Sequence, residues 1–121
     1  MKKPVGVYNG TNLYLTISSY LDNGRIYLGL ETEEELYADI TINLSDRLIE
    51  DDNCIFISGH VYNDLQDFLI EKEIIEEPYN VMQYNMGKYN CSRVNFEKIK
   101  EYDPEGFENF EKKLKDDEIE L

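Results

Sequence analysis

The chain has 121 residues, room for one domain and not for a second core of ordinary size. Hydrophobic residues make up 41% and aromatics 12%, enough to pack a core, which excludes wholesale disorder. Twelve Lys and Arg against 26 Asp and Glu leave a net charge of −14, so nucleic-acid phosphates and anionic membranes should repel the chain and basic partners should suit it. Eleven Asn and ten Tyr are what an AT-rich gene yields, but such a gene would raise Lys too, and Lys numbers nine. The acidity therefore exceeds what base composition explains, and it serves either solubility or a partner.

Met1 to Val7 carries two lysines with no apolar stretch behind them, so no signal peptide is expected. No apolar run approaches the ~20 residues that span a bilayer. The expected location is cytoplasmic, with Cys54 and Cys91 as reduced thiols. Alternation from Asn12 to Tyr20 predicts a half-buried strand, with Leu13, Leu15 and Ile17 inward and Tyr14, Thr16 and Ser18 outward. Asn23-Gly24 predicts a tight hairpin turn. Arg25 to Glu31 alternates again, with Ile26, Leu28 and Leu30 inward. After the acidic turn Glu31 to Glu35, the stretch Leu36 to Leu44 reads as one long strand. Its packed face is Leu36, Ala38, Ile40, Ile42 and Leu44, and its wet face is Tyr37, Asp39, Thr41 and Asn43.

Cys54-Ile55-Phe56-Ile57 reads as a short buried strand. Asn63 and Gln66 have the spacing of a capping box that opens a helix to about Glu73. Tyr79 to Phe96 reads as a second hairpin that turns near Asn85-Met86-Gly87. Asp103-Pro104 supplies an N-cap and a first-position proline for a last helix, whose apolar stripe is Phe107, Phe110 and Leu114. The fold class is α+β: an antiparallel sheet, a three-strand meander plus later strands, with one or two helices packed on one face. Residues 1–121 read as a single domain, with 97–121 as an acidic C-terminal helix and a candidate appendage.

No chemistry-bearing constellation stands out. His60, alone in the chain, sits at a strand-to-helix break, and no third residue orients it toward Cys54. Cys54 lies in an apolar run and Cys91 in an alternating one, where a thiol is packing. No zinc spacing, EF-hand loop or glycine-rich phosphate loop is present. The expectation is no enzyme, no cofactor and no metal. What stands out is fixed acid. Glu31, Glu33, Glu34 and Glu35 form one cluster, Glu50, Asp51 and Asp52 a second, and Glu71, Glu73, Glu76 and Glu77 a third. They fall at turns and helix ends, around a folded body. Carboxylates on a rigid scaffold can copy the phosphate spacing of DNA, about 1.7 Å of axis per charge. Tyr14, Tyr27 and Tyr37, on the expected wet face, add contact area of the kind protein interfaces use.

Asn23 to Leu30, Leu36 to Leu44 and Leu69 to Ile75 together resemble a small family carried on phages and conjugative elements of gut bacteria, over roughly Asn12 to Phe96. The resemblance implies a mobile-element accessory protein, and small proteins of such elements include anti-CRISPR inhibitors. The Gly59-His60-Val61 segment and the acidic last helix depart from that likeness. The first expectation is thus a DNA mimic that binds the basic nucleic-acid-binding surface of a host defence nuclease. The alternative is a non-enzymatic structural or regulatory domain that self-associates through its sheet, as a homodimer.

Overall fold

The computed structural model describes residues 2–44, 47, 49, 51–59, 61 and 63–119, with side chains described as far as residue 115. His60 and Glu50, both weighed above, lie outside the described residues. Among the described residues eight strands form two antiparallel four-stranded sheets, and with three helices the fold is α+β. The first sheet has the order β1 (Gly6–Tyr8), β2 (Thr11–Ser19), β3 (Ile26–Glu31), β4 (Leu36–Asp39). The second has the order β5 (Thr41–Ile42), β6 (Cys54–Ile57), β8 (Gly87–Arg93), β7 (Asn80–Tyr84). Helix α1 is Asn63–Glu71, α2 is Phe96–Ile99 and α3 is Pro104–Ile119.

Alternation builds the meander. Leu13, Leu15 and Ile17 of β2 and Ile26, Leu28 and Leu30 of β3 are all buried in one core, as their period of two requires. The tight Asn-Gly turn lies elsewhere than expected. Asn9 and Gly10, at φ 50° and 78°, join β1 to β2 directly, with Tyr8 opposite Thr11. Between β2 and β3 the connection is longer: Tyr20 N–H donates to the Arg25 carbonyl at 2.9 Å, and Gly24 has the positive φ of 71°.

The long strand expected from Leu36 to Leu44 is two strands in two sheets. At Ile40 the chain changes sheet. Its N–H donates to Leu28 O of the first sheet at 2.9 Å, and its carbonyl accepts from Ser58 N–H, next to β6, at 2.8 Å. The exchange of partners interrupts the predicted face. Ile40 belongs to the main core, whereas Ile42 and Leu44 join a smaller cluster around Phe56 and Cys91. Thr41, expected on the wet side, is buried, with its hydroxyl 2.8 Å from Tyr20 Oη and accepting from Leu28 N–H at 3.3 Å. Leu36, expected inside, is exposed. A register shift between Leu30 and Glu31 displaces the start of β4.

Among the described residues no capping box forms at α1: Gln66 Oε1 accepts instead from Asn90 Nδ2 of β8 at 2.8 Å, tying the helix to the second sheet. The helix ends in a Schellman motif, with Ile74 N–H on Leu69 O and Glu73 N–H on Ile70 O, both at 3.0 Å. Glu73 occupies the left-handed position, φ 64°, that glycine favours. Leu69 and Ile74 beside it are fully buried.

Asp103 caps α3 and also anchors it. Its Oδ1 accepts from Gly106 N–H at 3.3 Å, while its Oδ2 accepts from Ile17 N–H of β2 at 2.8 Å. Lys2 lies 3.6 Å from the same carboxylate and donates to Leu15 O at 3.1 Å. The two side chains occupy the stretch of the β2 edge that β1 does not reach. Phe107 and Phe110 enter the main core against Phe96, so this part of α3 shares a core with the meander. No helix among the described residues is long and apolar enough to cross a membrane.

Candidate interaction surface

The outer face of the first sheet holds two carboxylates of the first acidic cluster, those of Glu31 and Glu33. Tyr14, Thr16 and Ser18 alternate with the buried Leu13, Leu15 and Ile17 of β2, and the register sets them opposite Glu31, Gly29 and Tyr27 of β3. Asp39 of β4 lies opposite Gly29 on its other side. Three hydroxyls on this face each donate to a carboxylate. Tyr14 Oη donates to Glu33 at 3.2 Å, Tyr27 Oη to Asp39 at 2.6 Å, and Thr16 Oγ1 to Glu31.

Gly29 is what lets Tyr27 reach Asp39. The ring lies over the glycine, and a Cβ there would overlap the phenol oxygen. Tyr20 meets the Tyr27 ring edge-on, with centroids 5.7 Å apart. Burial raises the Tyr27 phenol above its ordinary pKa, and the hydrogen bond to Asp39 raises it further. Tyr14 is raised by burial and then by its bond to Glu33. Both phenols therefore remain donors to their carboxylates at neutral pH.

The turn beside this face is also fixed. Thr32 Oγ1 accepts from Glu34 N–H at 3.2 Å and Glu35 N–H at 3.1 Å, and Thr32 N–H donates to Glu35 O at 2.8 Å. Glu33, Glu34 and Glu35 are exposed on it. Three carboxylates, of Glu31, Glu33 and Asp39, are thus held on this face, with the exposed Glu34 and Glu35 on the turn beside it and the Lys2 ammonium 3.9 Å from Glu31.

Tyr37 is not part of this face. The register shift in β4 turns it away, and its exposed ring meets Tyr8, which packs on Phe68 of α1. Asp51 and Asp52 are exposed ahead of β6, and Asp51 pairs with Arg93 at 2.8 Å. Glu71 and Glu73 finish α1 and Glu76 and Glu77 follow it, all exposed. The Glu76 N–H donates to Arg93 O at 2.9 Å. Asp39, Thr16 and Lys2 were not among the expected site residues. Asp39 alternates onto the wet face in the sequence, but its partner, Tyr27, becomes visible only with the register of two strands.

Cys54 and Cys91 are both buried as free thiols. No group of three His, Cys, Asp or Glu side chains able to hold a metal occurs among the described residues. In comparison with known proteins, a family described as a domain of unknown function (DUF4313) matches residues 14–114. No curated protein and no solved structure matches the chain.

Proposed function

The chain belongs to the DUF4313 family, and we propose that it is a non-enzymatic binding protein whose acidic sheet face docks on a basic protein surface. One observation carries this reading: three carboxylates of the face are each held by a hydroxyl of the same rigid sheet. Side chains fixed beforehand lose little entropy on binding. Their charge raises the encounter rate with a basic groove. The finer form of the proposal is a cytoplasmic inhibitor, of the anti-CRISPR type, that competes with nucleic acid for a defence nuclease. It draws on the resemblance to mobile-element proteins and on the net charge of −14.

The test is the association rate with the basic protein that the chain captures from its host, measured at low and high salt. Reversing Glu33, Glu34 and Glu35 together to Lys changes the local charge by about six units and should slow association about tenfold or more at low salt. The difference should shrink at high salt, where screening removes steering. An unchanged rate at low salt would rule out electrostatic docking through this face.

A further inference from the structure

Strand β7 is an edge of the second sheet, and none of its residues, Asn80 to Tyr84, is charged or a proline. From Tyr79 to Gly87 the chain has no charged residue, although 31% of the whole chain is Asp, Glu, Lys or Arg. Val81 is 51% exposed and Met86, in the turn, is fully exposed. The other edges differ. Strand β4 carries Asp39 and follows Glu35, β1 has three residues and β5 has two.

The backbone of β7 also shows which groups face outward. Val81 N–H donates to the side-chain oxygen of its own neighbour Asn80, at 2.8 Å, rather than to β8. In an antiparallel ladder outward groups recur at every second residue, so those of Gln83 point the same way. We infer that β7 pairs antiparallel with β7 of a second copy of this chain, about a two-fold axis at Met82.

That axis sets Val81 opposite Gln83 of the second copy, and Gln83 opposite its Val81. Each of these two pairs exchanges both N–H···O=C bonds, and the Val81 N–H gives up its local bond to Asn80. Met82 then faces its own copy, and Asn80 faces Tyr84. No like charges are opposed, a requirement that self-pairing imposes on a strand and that pairing with a different protein does not. In a chain of net charge −14, a neutral edge is the surface on which two copies can meet. The contact is short, so the dimer is weak and concentration-dependent.

Sedimentation of the full chain across concentration and salt tests this. The two bodies repel, and salt screens the repulsion, so the dimer should strengthen as salt rises. Docking on a basic partner has the opposite salt dependence, so the two readings fail separately. Val81→Lys should weaken the dimer roughly tenfold, because the axis introduces the charge twice. Gln83→Lys, also at an exposed position, should do the same. Val7→Lys makes the same charge change on β1, where Val7 is exposed, and should leave the dimer within about twofold of the parent. A monomer at every concentration, a dimer that salt weakens, or a dimer indifferent to both β7 variants would overturn the inference.

Discussion

Tyr27 shows how one residue links burial, hydrogen bonding and charge on the acidic face. Its phenol donates to Asp39 at 2.6 Å, so the folded protein holds that proton more tightly than the unfolded chain does. The sign follows from linkage. A folded pKa raised above the ordinary 10.0 contributes stability that is complete below that value. The contribution is lost as pH rises from there through the folded value. Tyr20, raised mainly by burial, adds to the same alkaline loss. Unfolding free energy should therefore fall with pH above about 10, and Tyr27→Phe should make that fall shallower. At neutral pH the same variant should cost about 1 kcal/mol or less, since one partly exposed hydrogen bond is removed. Denaturant titrations at neutral and alkaline pH measure both quantities. Equal alkaline slopes in parent and variant would show that the phenol is not held in the folded state.

At the scale of elements, the start of α3 sets local propensity against packing. Gly106 lies in the first turn of the helix, where Ala would be preferred by about 1 kcal/mol on propensity alone. A Cβ there would overlap the Ile17 carbonyl of β2 and the Asp103 carboxylate that caps the helix. The carbonyl is backbone and cannot rotate away, so packing decides the sign. Gly106→Ala should destabilise the protein by about 1–3 kcal/mol, read as a lower denaturation midpoint. A raised midpoint would mean that α3 does not sit against β2. The cap at Asp103 and the stripe Phe107 and Phe110 were legible in the sequence, because both are local patterns. The role of Gly106 was not, because it depends on Ile17, in a strand far away along the chain. The same distinction separates the site residues. Tyr14, Tyr27 and Glu31 follow from strand alternation, whereas the displacement of Tyr37 comes from a register shift between two strands. Strand β1 is not legible in the sequence because three residues are too few to alternate, although Asn9-Gly10 beside it carries the same turn signal as Asn23-Gly24.

For the molecule as a whole, the decisive position is Ile40, where one uninterrupted apolar alternation is divided between two sheets. Periodicity could not reveal this division, because a strand that changes partners keeps its period of two. The change is made by the backbone, with the Ile40 N–H bonded to the first sheet and its carbonyl to Ser58 beside the second. Its side chain is fully buried in the main core, which Leu28 of the first sheet, Ile55 of the second and Leu65 of α1 share. Truncation there removes packing at the place where the two sheets are joined. Ile40→Ala should therefore cost about 2–5 kcal/mol, the range for a buried isoleucine whose cavity only partly closes. The loss should also be shared. Because one core spans both sheets, amides of β2 and β3 and amides of β6 and β8 should lose protection from hydrogen exchange together, by a similar factor. The acidic face on the first sheet and the neutral edge on the second would then belong to one cooperative unit, and a partner bound at either would stabilise the other. Loss of protection confined to β2 and β3 would instead make the sheets separate folding units, and binding at one surface would leave the stability of the other unchanged.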